Sequence, residues 1–139
     1  MAQSPYRGYF ALVLTPSSEE ALKALYAKLT KIFCHHMTLK FGSDDPADLP
    51  PRFCATDVGK SFKLKVIGFG RSANIEAVAV ALIVDGTLVT EGITNNKVPH
   101  VTVSTDDVTK PFASNALLEA GFDTVTDGLE LDCTLEHVM

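Results

Sequence analysis

The sequence predicts one α+β domain made of two similar halves. The chain has 139 residues, enough to bury one substantial core. Its first half reads as strand, helix, strand, and its second half repeats a strand and a short helix. Each half also carries the pattern histidine, apolar, threonine, apolar, at residues 36–39 and 100–103. We therefore expect residues 1–139 to form a single domain.

The first half begins with the apolar segment 7–15, RGYFALVLT, which predicts a buried strand that ends at a proline. In the segment that follows, Ser17 and Glu20 have the spacing of a capping box. The apolar residues after this box recur on one helical face, which predicts a helix ending near residue 33. Residues 36–42 alternate between apolar and polar side chains and predict a second strand.

The second half follows a connection, residues 43–60, that holds three prolines and four acidic residues and is expected to be a surface loop. Paired strands are expected at 61–69 and 75–84, with GFG as a turn or bulge and Asp85-Gly86 as a tight turn. The remaining expected elements are a strand at 98–104, a short helix ASNALLEAG capped by Ser114, and a final strand LELDCTLEHV.

The composition limits the partners. The net charge of −5 argues against a protein that grips a long nucleic-acid duplex, because such proteins need many lysines and arginines. A nucleic-acid ligand should therefore be small, such as a nucleotide or a strand end. The three cysteines share no close spacing, which argues against a disulfide framework and a zinc site. No apolar run could span a bilayer and no signal peptide is visible, so we expect a cytoplasmic monomer, with the nucleus not excluded.

The two repeated motifs predict a catalytic site. Successive side chains of a strand point to opposite faces, so His36 and Thr38 share one face, as do His100 and Thr102. Two such strands side by side would place two imidazoles and two hydroxyls around one cavity. One neutral histidine could take a proton from a nucleophile and one protonated histidine could give a proton to a leaving oxygen, while the hydroxyls bind phosphoryl oxygens. Such a set would suit the cleavage of a phosphodiester, and we expect it to need neither a metal nor another cofactor.

Three further residues are predicted to line the cleft. Lys40 and Ser104 share the faces of their motifs by the same alternation, and Tyr9 on the first strand could stack on a base. His35 is excluded, because alternation points its side chain away from that of His36.

The two motifs resemble those of the two-histidine (2H) phosphoesterase superfamily. It includes the LigT-like RNA 2′,3′-cyclic phosphodiesterases and the cyclic phosphodiesterase domains of eukaryotic tRNA ligases. The stretches HMTLKFG, FKLKVIGFGR, PHVTVST and KPFASNALL extend the similarity over nearly the whole chain. The resemblance implies a bilobal fold in which two antiparallel sheets surround a central cleft and the helices lie outside. It also implies His36, Thr38, His100 and Thr102 as the catalytic set.

The resemblance implies a small nucleotide or RNA-end substrate. Opening of a 2′,3′-cyclic phosphate to a 2′-phosphate is the first expectation. Degradation of 2′–5′ oligoadenylate or of a cyclic oligonucleotide signal is the alternative within the same chemistry. A non-catalytic nucleotide- or RNA-end-binding module is the alternative from another class. Which histidine acts as the acid and which as the base stays open.

Overall fold

The computed structural model describes residues 8–94 and 96–138 and has an α+β fold, as predicted. None of the helices in these residues is long and apolar enough to cross a membrane. The helices are α1 (Pro16–Tyr26) and α2 (Ser114–Glu119). The strands are β1 (Tyr9–Leu14), β2 (Lys31–Ile32), β3 (His36–Phe41), β4 (Ser61–Arg71), β5 (Ile75–Val84), β6 (Thr87–Val89), β7 (His100–Thr105), β8 (Asp123–Thr124) and β9 (Glu130–Val138).

The strands of the described residues belong to one antiparallel sheet, in the order β2-β7-β5-β4-β9-β1-β3. The short strands β6 and β8 pair with β5 and β4 outside this path. The expectation of two separate sheets is thus corrected. The C-terminal strand β9 pairs with both β4 and β1, so its two rows of hydrogen bonds join the halves into one ladder.

One short stretch, residues 31–41, connects the two ends of this ladder. Its first part pairs with β7, and the hydrogen bond from Cys34 N–H to the carbonyl of Thr102 (3.0 Å) continues that pairing. Its second part, β3, pairs with β1. Cys34 has φ of 51°, a left-handed conformation, at the point where the chain leaves one partner for the other. The result is that β3 and β7, far apart in the strand order, lie near each other.

The apolar sides of the strands form the core. Phe10, Leu12 and Met37 are fully buried there with the aliphatic residues of β4, β5 and β9. The connection 43–60 is less loop-like than expected, because Leu49 and Phe53 anchor it in this core. It also contains two single-turn 3-10 helices, Pro46–Asp48 and Ala55–Asp57.

Both helices begin differently from the predicted caps. Thr15 caps α1, accepting a hydrogen bond from the backbone of Ser18 (3.4 Å), in place of a capping box opened by Ser17. Ser114 is the first residue of α2, and its hydroxyl lies 2.8 Å from the hydroxyl of Thr102. Its side chain therefore serves a tertiary contact and does not cap the helix.

Helix α1 also ends earlier than the predicted residue 33. The backbone N–H of Lys28 donates to Glu76 Oε1 at 2.7 Å, a contact between residues far apart in the sequence. The buried carboxylate thus takes an N–H group that a longer helix would have bonded internally. Since Lys31–Ile32 then join β7, tertiary bonds override the helical periodicity of the segment.

Two glycines of β4 allow α2 and the segment just after it to pack against the sheet. A Cβ atom on Gly70 would lie 2.8 Å from a methyl carbon of Leu118, and one on Gly68 would lie 2.2 Å from the ring of Phe122. The pairing with β5 shifts between Val66 and Gly68, so the irregularity lies just before the GFG segment, which was expected to be a turn or bulge and is instead a regular part of β4. This close packing brings the first turn of α2 to the open side of β7.

Candidate active site

A cavity of about 360 Å³ lies where β1, β3 and β7 come together. All four motif residues line it: His36, Thr38, His100 and Thr102. The other lining residues are the aromatic Tyr9, Phe33 and Phe41, the polar His35, Asn96 and Asn115, and Pro111. The structure thus brings the two halves of the repeated pattern into one hollow.

The backbone register explains this meeting. Lys31 pairs with Thr105 and Ile32 with Ser104, and extending this register by four residues would place His36 opposite His100. The strands separate at Cys34, before that point is reached. The two imidazoles therefore line one opening, where the strands have ceased to pair.

His100 is held in one tautomer by its own loop. Its Nδ1 lies 2.7 Å from the carbonyl oxygen of Val98, which can only accept, so Nδ1 carries the hydrogen. The neutral ring then has its lone pair on Nε2. Burial lowers the pKa of His100, and the hydrogen bond to Val98 partly offsets this by favouring the charged ring.

His36 is bonded to its neighbour in sequence. Nδ1 of His36 lies 2.9 Å from Nδ1 of His35, with the two rings nearly perpendicular. Burial, followed by the nearby imidazoles of His35 and His100, lowers the pKa of His36 from 6.5 to about 4. His36 is therefore neutral at pH 7, the state that a proton acceptor requires.

This shift predicts a pH-dependent stability. Between about pH 6.5 and about pH 4 the unfolded chain protonates His36 while the folded chain does not, so acid favours unfolding in that window. We expect the free energy of unfolding, measured in urea, to fall less steeply over this range in His36→Asn than in the parent. An NMR titration should show the His36 ring neutral until about pH 4; a midpoint near 6.5 would contradict the expectation.

The hydroxyl of Thr102 is oriented by residues that follow β7. It donates to the carbonyl of Pro111 at 3.3 Å and lies 2.8 Å from the hydroxyl of Ser114, which is fully buried. Sequence reasoning missed this role of Ser114, because the contact depends on how α2 packs and has no local signal. Ser114 holds Thr102 at the cavity wall.

Thr38 is held through its backbone. The hydroxyl of Thr94 donates to the carbonyl of Thr38 at 2.7 Å and thus attaches the connection before β7 to β3. The same connection contributes Asn96 to the cavity lining. This bond links the two motif strands near the site.

Tyr9 lines the cavity, on the face of β1 that Ala11 also occupies. Its ring centroid lies 5.2 Å from that of His36 and 6.4 Å from that of Phe41, with which it is stacked. Phe41 is 79% exposed at the cavity rim. These rings form an aromatic edge of the kind on which nucleobases stack.

Lys40 and Ser104 do not line the cavity, contrary to the alternation argument. A β-bulge follows the threonine of each motif, and paired residues of a sheet point to the same face. The pairs are Ala11–Thr38 and Phe10–Lys40 in one half, Ala77–Thr102 and Glu76–Ser104 in the other. Because the extra residue reverses the alternation, the side chains of Lys40 and Ser104 leave the cavity face. The hydroxyl of Ser104 instead donates to buried Glu76 at 2.6 Å.

His35, excluded on the same argument, does line the cavity. Regular strand geometry begins only at His36, after the left-handed Cys34, so alternation does not apply to residue 35. The backbone carbonyl of His35 accepts a hydrogen bond from Leu14 N–H at 2.8 Å, which fixes its place beside β1. The one sequence signal that could have identified His35 as a lining residue is its position directly beside His36.

The described lining residues include no lysine, arginine, aspartate or glutamate. A bound phosphate would therefore be held by hydroxyl, amide and imidazole groups. Within residues 8–94 and 96–138, no group of three or more histidine, cysteine or acidic side chains is arranged to hold a metal ion.

No protein-family model matches this chain, and a search of curated proteins found no match.

Proposed function

We propose that this protein is a metal-independent 2H phosphoesterase that hydrolyses a phosphodiester of a small nucleotide or RNA end. One observation carries the proposal: two imidazoles and two threonine hydroxyls, from motifs in separate halves of the chain, line one cavity. Two general acid–base groups and two hydrogen-bond donors are what attack and departure at a single phosphorus require.

A bilobal 2H fold is part of this proposal, and the pairing of the strands supports it. In each half the histidine begins a strand that pairs with an earlier antiparallel one, His36 opposite Val13 and His100 opposite Ala79. In each half a bulge follows the motif threonine. Two halves that repeat the same pairing and the same irregularity are consistent with a pseudo-twofold arrangement about the cavity.

In the proposed reaction a neutral imidazole removes a proton from water through Nε2. The water oxygen forms a bond to phosphorus, and the P–O3′ bond of the cyclic phosphate breaks. The protonated second imidazole gives its proton to O3′. The products are a 2′-phosphate and a 3′-hydroxyl. The hydroxyls of Thr38 and Thr102 donate hydrogen bonds to the charged non-bridging oxygens, for which the hydroxyl of Thr102 turns away from the carbonyl of Pro111.

The hydrogen bonds favour one distribution of these roles. His36, with its pKa lowered to about 4, is neutral at pH 7 and so has the protonation state of a base. The bond from His100 Nδ1 to the Val98 carbonyl favours the imidazolium form, which suits the acid. Burial lowers the pKa of both rings and so favours their neutral forms. The negative charge of a bound phosphate raises the pKa of an adjacent imidazole and so supplies the acid when substrate binds.

The size of the cavity favours a small substrate. About 360 Å³ is near the lower end of the range for small-molecule sites. It suits one nucleotide with a cyclic phosphate, while a longer oligonucleotide would extend over the exposed rim at Phe41. We therefore place a 2′,3′-cyclic phosphate before 2′–5′ oligoadenylate or cyclic oligonucleotides.

A substrate panel tests the proposal. The purified protein, with a chelator present, is incubated with a 2′,3′-cyclic nucleotide, 2′–5′ oligoadenylate, a cyclic dinucleotide and a 3′,5′-cyclic nucleotide, and the products are separated by chromatography. We expect a 2′-phosphate from the first compound and turnover below one-tenth of that rate for the others. Turnover mainly of an oligonucleotide would support the alternative substrate. Binding without turnover of any compound would overturn the proposal in favour of a binding module.

A further inference from the structure

His35 and His36 form a pair of adjacent imidazoles at the edge of the cavity. Their Nδ1 atoms are 2.9 Å apart, a hydrogen-bond distance, so one nitrogen must carry a hydrogen and the other a lone pair. The ring of His35 is exposed, whereas that of His36 is partly buried. The pair thus connects the site to solvent through a single hydrogen bond.

The direction of this hydrogen bond decides what His36 can do. If His36 Nδ1 donates, the lone pair of its neutral ring is on Nε2, the nitrogen left for the cavity. If His36 Nδ1 accepts, Nε2 carries the hydrogen and cannot take a proton from water. A neighbour that selects the tautomer therefore controls whether His36 is a base, as the orienting group of a catalytic triad does.

We infer that His35 is a positioning residue that accepts the Nδ1 hydrogen of His36 and so directs the Nε2 lone pair of His36 toward the substrate. The inference rests on the proposed function. The backbone bond from Leu14 N–H to the carbonyl of His35 and the left-handed turn at Cys34 hold His35 in this position. The other titratable groups that face His36 are Tyr9 from β1 and His100 from β7.

NMR of the ring nitrogens tests the tautomer without any substrate. In ¹⁵N-labelled parent protein at pH 7 we expect His36 to show a protonated Nδ1 and an unprotonated Nε2. In His35→Ala the population should move toward the Nε2–H form. In His35→Asn the amide oxygen occupies nearly the place of the lost Nδ1, so the parent tautomer should return. A parent ring already in the Nε2–H form, or an unchanged tautomer in His35→Ala, would overturn the inference.

Kinetics on a 2′,3′-cyclic nucleotide provide the second readout. We expect kcat to fall about tenfold in His35→Ala, the effect of losing one neutral hydrogen bond, with KM unchanged. His35→Asn should recover most of kcat. His35 also contributes to the low pKa of His36, so both variants should move the acid limb of the kcat profile to higher pH. If His35 had only a structural role, His35→Asn would not restore kcat while the acid limb of the kcat profile stayed at higher pH.

The matched control is His137→Ala. His137 is the histidine that bonds Asp44 through Nε2 (2.9 Å), and it does not line the cavity, so its removal should leave both readouts unchanged. The NMR and kinetic experiments test the role of His35 and the proposed function separately. Absent turnover in the parent would defeat the proposed function, and the NMR result would still decide the role of His35. Turnover that depends on His36 but not on His35, with an unchanged tautomer, would defeat only the inference.

Discussion

His36→Ala and His100→Ala are each expected to lose about 10²- to 10⁴-fold in kcat toward a 2′,3′-cyclic nucleotide. Each substitution removes one of the two groups that exchange protons with the reacting oxygens, and general acid–base catalysis contributes an effect of this size. Both rings line the same cavity, so the double variant should lose far less than the product of the single losses. Release of the 2′-phosphate, followed by chromatography, measures all three rates.

His137→Ala is the control here too, since it removes an imidazole outside the cavity. Equal urea unfolding midpoints would show that the loss of rate is not a loss of fold. Turnover that survives both single changes within a factor of about three would mean that the two-histidine mechanism is wrong. Loss of rate in only one variant would assign water activation or leaving-group protonation to another group.

Replacement of Glu76 by leucine should lower the free energy of unfolding by about 2–4 kcal/mol. This carboxylate is fully buried and accepts hydrogen bonds from Lys28 N–H, the hydroxyl of Ser104 and the guanidinium of Arg71. Leucine would leave the buried hydroxyl of Ser104 and the part-buried N–H of Lys28 without this acceptor, which costs the desolvation of the buried group. Urea unfolding at pH 7 measures the change. Because Glu76 fixes the chain just before residues 31–36, the variant should also bring His36 less precisely to the cavity.

The loss of unfolding free energy on replacing Glu76 by leucine should depend on pH. Burial alone would raise the pKa of Glu76, but the bonds from Ser104, Lys28 and Arg71 together hold this pKa below its usual value. The carboxylate therefore stabilises the fold at pH above the unfolded pKa of about 4.3, and this contribution disappears as pH falls through the lower folded pKa. Glu136→Gln, which removes the same charge at an exposed position of β9, should change stability by less than about 0.5 kcal/mol. Equal effects of the two substitutions would contradict the role of Glu76.

Much of the framework can be predicted from local patterns. The strands β1, β3, β4, β5, β7 and β9 are visible in the sequence as apolar runs or as alternating segments, and so is the turn at Asp85-Gly86. The helix α1 was predicted in place but too long, because its periodicity continues past Tyr26 while Glu76 bonds the next segment. Local propensity cannot include an acceptor that is remote in the sequence.

The candidate site, like the framework, was predicted only in part. The shared face of each histidine and its threonine follows from two-residue periodicity, which holds up to the threonine. Beyond it a bulge reverses the face, so Lys40 and Ser104 were placed wrongly. Alternation cannot reveal an inserted residue, since a bulge depends on the partner strand.

The sequence by itself determined the α+β class, the six longer strands and the two repeated motifs, because hydrophobic periodicity and residue chemistry are local properties. Only the tertiary structure decided that residues 31–41 bring β3 to β7, that β9 joins the halves in one sheet, and that His35 and Ser114 contact the motif residues. Those features arise from hydrogen bonds between distant parts of the chain, and such bonds form only when the whole fold brings their atoms within about 3 Å.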